Sequence, residues 1–78
     1  MDAADHIILE VCSELKRAMQ LHGPQRSAHE SYAVILEELD EFWQEVRKKK
    51  EHRNPKAMRT ELIQTAAMCC RAIHDLGL

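Results

Sequence analysis

Two breaks in the chain constrain its fold more than any other feature. Gly23-Pro24 and Asn54-Pro55 cut the 78 residues into three segments, and within each segment apolar residues recur at steps of three and four, the period of an amphipathic helix. No stretch shows the strict alternation of a half-buried strand. Proline cannot continue a helical hydrogen-bond ladder, so each break separates two helices. The pattern predicts an all-α protein, a three-helix antiparallel bundle forming one domain over residues 1–78.

The first helix is expected from Asp2 or Asp5 to Leu21, with Ile8, Val11, Cys12, Leu15, Ala18 and Met19 on its apolar side and Gly23 supplying a left-handed cap. Ser27 and Glu30 have the spacing of a capping box, which opens a second helix predicted from Ala28 to about Lys50. Its stripe contains Tyr32, Ile35, Leu36, Leu39, Phe42, Trp43 and Val46, and Arg47 to Lys50 place positive charge at the negative end of the helix dipole. Asn54 and Pro55 open the third helix and Gly77 closes it. Its apolar face is wider than one neighbour requires, and Ala66, Ala67 and Cys70 read as places where a second subunit approaches.

Size sharpens that expectation. Ordering a residue costs roughly 1.5 kcal/mol of conformational entropy, and a chain this short buries a small share of its surface, so it requires staples or a partner. Three cysteines, Cys12, Cys69 and Cys70, offer no disulfide framework and read as buried, reduced thiols. The five histidines lack zinc-ligand spacing. The predicted remedy is homo-oligomerisation. No apolar run reaches the ~20 residues of a membrane span, and a formal net charge of -2 argues against general nucleic-acid binding. A soluble, cytoplasmic protein is expected.

The second helix also carries Glu37-Glu38-Leu39-Asp40-Glu41 and then Glu45. At about 100° per residue, Glu38, Glu41 and Glu45 fall within roughly 60° of one another, beside the apolar stripe. Like charges at these spacings repel, so the strip costs stability unless a cation sits there, and a hard divalent ion with oxygen ligands fits. The third helix offers Glu61 and, one turn on, Gln64. Across a helical hairpin Glu38 and Glu41 from one helix and Glu61 and Gln64 from the next can surround Mg²⁺ with oxygen ligands. The alternative is a set of solvated surface carboxylates, the common use of helical glutamates.

The stretches "HESYAVILEELDEFWQEV" and "TELIQTAAMCCRAIHDLGL" resemble the MazG-type all-α nucleoside triphosphate pyrophosphohydrolases, whose pattern is E-E-x-x-E on one helix and E-x-x-D on the next. The resemblance covers residues 29–78. It implies dimers or tetramers of helical bundles and a Mg²⁺-dependent enzyme that cleaves a nucleoside or deoxynucleoside triphosphate between its α and β phosphates, releasing a monophosphate and pyrophosphate. Carried over residue by residue, Glu38 and Glu41 match the E-x-x-E ligands and Glu61 the glutamate of E-x-x-D. Gln64 departs from the pattern: an amide oxygen can coordinate magnesium, but it brings no charge and accepts no proton as a base. That departure leaves a non-catalytic nucleotide-binding or protein-interaction module as the alternative function. Lys56 and Arg59, at the start of the third helix, are candidate contacts for the substrate phosphates. Tyr32 and Trp43, at helical spacing on the stripe, read as core rather than as a base platform.

Overall fold

A computed structural model describes all 78 residues as three α-helices without a strand: α1 over Ala3–Leu21, α2 over Ala28–Val46 and α3 over Pro55–Asp75, with a single 3-10 turn at Lys50–His52 before α3. Each start has a local cause. At α1 the Asp5 amide donates to Asp2 Oδ1 at 3.0 Å while the Asp2 amide donates to Asp5 Oδ2 at 3.1 Å, a reciprocal capping box. Ser27 Oγ accepts the Glu30 amide at 3.1 Å, but the Glu30 carboxylate takes the Arg26 amide instead of that of Ser27. Asn54 Oδ1 accepts from the amides of Lys56 and Ala57, with Pro55 at the first helical position.

The ends differ from sequence expectation in two places. Gly23 has no left-handed backbone, because α1 stops one residue earlier with His22 extended; only Gly77 has a positive φ, 67°. There Leu78 donates to the Ile73 carbonyl and Gly77 to that of His74, the double bond of a Schellman cap. α2 ends at Val46 rather than Lys50, and the basic run lies beyond it. Arg53 takes over the capping: its Nη2 donates to the Val46 carbonyl at 2.7 Å and its Nε to the Lys48 carbonyl at 3.2 Å.

α3 is the central element. Both α2 and α1 pack against it, whereas α1 and α2 hardly touch. The helices are therefore not a closed set of sequential neighbours: α1 and α2 are joined through α3, with a cleft lined by residues of all three. A buried polar network fixes α1 to α3. Arg71, on α3, donates to the carbonyls of Ala18, His22 and Gly23 and pairs with Asp75 at 3.1 Å, while Asp75 also accepts the Gln25 amide at 2.8 Å. One guanidinium thus satisfies carbonyls that the end of α1 leaves without helical partners.

The apolar core is correspondingly thin. Ala18, Ala67 and Ala72 are the only buried apolar residues, and no large side chain is fully buried. Ala67, expected at a subunit contact, instead lies inside the chain, where its small side chain lets the helices approach α3. Tyr32 and Trp43, expected in the core, are exposed, because α3 covers only the half of the α2 stripe that carries Ile35, Phe42 and Val46. Cys12, Cys69 and Cys70 are likewise exposed thiols rather than buried ones, since their helix faces have no neighbour within the chain. No helix is long and apolar enough to cross a membrane.

Candidate metal and nucleotide site

Helical spacing places Glu38 and Glu41 one turn apart on α2, and the antiparallel packing of α3 brings Glu61 level with them. One carboxylate oxygen from each of the three lies within 4.8 Å of the others. Glu41 is exposed, whereas Glu38 and Glu61 are half-buried, and each of these two has an Oε2 atom shut off from solvent with no hydrogen-bond partner. Buried carboxylate oxygens without a donor are costly, and a cation among them relieves both the desolvation and the repulsion. The donor set is all hard oxygen, which suits Mg²⁺.

The electrostatics carry the same signature. Burial, and then the Glu41 and Glu38 carboxylates beside it, push Glu61 up to about 7. Glu38 is raised as well, first by burial and next by the charge of Glu41. Near neutral pH the cluster therefore gives up its last proton only reluctantly, and a divalent cation favours that loss.

Gln64 lies one turn from Glu61 and lines, with Glu37 and Glu38, the cleft between α1 and α2, a cavity of about 360 Å³. Met68 and Arg71 belong to its α3 wall. Glu45, on the same strip as Glu38 and Glu41, does not join them. Its carboxylate is held below the usual range by Lys48 at 3.0 Å and by the Asn54 amide at 2.5 Å, so it links the ends of α2 and α3. The two phosphate candidates fare differently. Arg59 is engaged by Glu10 of α1 in a second, more open groove that also reaches Gln64. Lys56 is exposed and borders neither cavity.

Two residues of α1 enter the site without having been singled out by motif. Glu14 lines the cleft beside Glu38 and Gln64, and its charge contributes to raising Glu38. Arg17 holds it in a two-pronged pair, with Nη2 donating to Oε1 at 2.6 Å and Nε to Oε2 at 3.0 Å, which draws the Glu14 carboxyl below its ordinary range. The sequence does carry a signal: Glu14 lies one turn before Ala18 on the inner side of α1, an unusual place for a carboxylate. Of the two arginines that line the cleft, Arg71 is spent on backbone carbonyls and Arg17 on the Glu14 carboxylate. Comparison with protein-family models, curated proteins and solved structures finds no match to this chain.

Proposed function

We propose that this protein is a Mg²⁺-dependent nucleoside triphosphate pyrophosphohydrolase of the MazG-like kind, acting in the cytoplasm on nucleoside or deoxynucleoside triphosphates as part of nucleotide-pool housekeeping. The observation that carries the reading is the convergence of Glu38, Glu41 and Glu61, two of them with buried, partnerless oxygens, with Glu38 also lining the cleft between α1 and α2. Glu38, Glu41 and Glu61 would hold Mg²⁺, with Gln64 as a neutral oxygen donor beside them. The ion, when bound, polarises the triphosphate and favours ionisation of an attacking water. The chain's own groups position the substrate: the cleft admits the nucleotide, and Arg17, which lines it, would exchange its Glu14 partner for phosphate charge, whereas Lys56 and Arg59 do not line that cleft.

The same reading includes self-association, because one copy leaves most of its large apolar side chains uncovered. Gln64 favours one alternative, a module that binds nucleotide or a protein without turnover, since the amide supplies neither charge nor a basic oxygen. A screen of nucleoside triphosphates with Mg²⁺, monitored by pyrophosphate release, decides between them. Release of pyrophosphate, lost in Glu38→Gln and Glu61→Gln, is the expected result. Triphosphates that stabilise the protein without being cleaved would establish the module.

A further inference from the structure

The antiparallel pair of α2 and α3 arranges three groups of side chains in the same order along both helices. Along α2, Glu30, Val34 and Glu37 line the cleft, Glu38 and Glu41 carry the carboxylate cluster, and Arg47, Lys49 and Lys50 follow beyond Val46. Along α3 the chain meets the same groups in reverse: Lys56, then Glu61, then Gln64, Met68 and Arg71 of the cleft. The carboxylates therefore lie between the cleft and a basic end of the hairpin.

That basic end is a held structure. Arg53 donates to the carbonyls of Val46 and Lys48, and Glu45 holds both Lys48 and the Asn54 amide, so the connection is tied to the two helices it joins. These contacts occupy Arg53 and Lys48, and Arg59 is engaged by Glu10. Arg47, Lys49, Lys50 and Lys56 are exposed and make no ion pair, and Glu51 is the only carboxylate among residues 47–56. The cleft has the opposite character. Glu14, Glu30, Glu37 and Glu38 line it, and its two arginines already have partners. Carboxylates accept from the hydroxyl and amino groups of a nucleoside and repel a run of phosphates.

We propose that the α2–α3 connection is the subsite for the β- and γ-phosphates, and that it sets the direction of the substrate: nucleoside in the cleft, α-phosphate at the carboxylate cluster, and the pyrophosphate portion against Arg47, Lys49, Lys50 and Lys56. The proposal rests on the pyrophosphohydrolase reading. Along the helix axes Arg47 lies about 9 Å beyond Glu41 and Lys56 about 7.5 Å before Glu61, near the ~8 Å over which charges act at physiological ionic strength. Arg17, in the cleft, is left for the α-phosphate alone. When the products part, the monophosphate is on the cleft side and pyrophosphate is held by the four cations. The same arrangement selects triphosphates, because a diphosphate brings only one phosphate to the basic end.

Inorganic pyrophosphate and a nucleoside monophosphate, each titrated by calorimetry with Mg²⁺ present, read the two ends separately. The double variant Lys49→Gln/Lys50→Gln should weaken pyrophosphate by roughly tenfold or more and the monophosphate by less than about twofold, and Lys56→Gln should add to the loss. Lys49→Arg/Lys50→Arg should keep pyrophosphate binding. Lys16→Gln, the same change of charge on α1, should alter neither ligand. These side chains are exposed and unpaired, so every variant should melt like the wild type. With triphosphate as substrate, the double variant should raise KM while kcat holds, and its preference for triphosphate over diphosphate should shrink. Unchanged pyrophosphate binding in a protein that cleaves triphosphates would overturn the subsite and preserve the hydrolase. A monophosphate weakened more than pyrophosphate would overturn the direction. Pyrophosphate binding lost in the variants of a protein that cleaves no triphosphate would sink the hydrolase reading and leave the basic end as an anion-binding surface.

Discussion

Glu61 is the residue whose chemistry reaches furthest, because its raised proton affinity ties stability to pH and, under the proposed function, to metal. Its folded pKa, about 7, lies above its ordinary value, so between roughly pH 4.5 and 7 the folded chain binds more protons than the unfolded one and stability falls as pH rises. Above that window the penalty is complete. In EDTA the melting temperature should therefore decline from pH 5 to pH 8, and Glu61→Gln should flatten the decline; an identical slope in the variant would refute the assignment. Magnesium should oppose the trend, with affinity increasing through neutrality and a proton released on binding, which calorimetry in buffers of different ionisation enthalpy measures. Gln64→Asp tests the neighbouring position by a change of sign. Without metal it adds a charge to a crowded cluster and should lower the melting temperature. With metal it should raise it, since a ligand at 100 times its dissociation constant stabilises the folded state by about 2.7 kcal/mol. A shift of the same sign in both conditions would place Gln64 outside the metal's reach.

Among the elements, α3 bears the connections, and Arg71 is where they meet. Its replacement by methionine removes the donors for three carbonyls and leaves the buried Asp75 carboxylate without its guanidinium. Breaking such a pair costs about 3 kcal/mol or more, so Arg71→Met should be among the most destabilising single changes, read by urea denaturation. A loss below about 1 kcal/mol would show that the network is dispensable. The helices and caps are legible in the sequence because capping is local: Ser27, Asn54 and Gly77 each act within four residues of themselves. The convergence of Glu38, Glu41 and Glu61 is legible for a related reason, since one helical turn and one hairpin suffice to align them. The approach of Glu14 and Arg17 is not, because it depends on α1 packing on α3 instead of on α2. Periodicity also marks which residues are apolar without saying what covers them, and so half of the α2 stripe faces outward.

For the molecule as a whole, the question is whether one copy can be stable. Folding must offset roughly 1.5 kcal/mol of entropy per residue, yet the buried apolar set of a single chain is three alanines, and an alanine contributes far less than the roughly 1.5 to 3 kcal/mol of a fully buried leucine or valine. The polar devices, Arg71, Arg53 and Glu45, satisfy helix ends but add little net stability beyond that. Under the proposed self-association, burial of exposed apolar side chains against a second copy would become part of folding itself. Unfolding should be bimolecular, with helix and dimer lost together, and each tenfold dilution should remove about 1.4 kcal/mol of apparent stability. Circular dichroism melts between about 1 and 100 μM should move to higher temperature as concentration rises, and refolding should slow with dilution. Melts that coincide across that range, with helix content unchanged in the monomer, would mean that the three-alanine core and its polar network suffice alone.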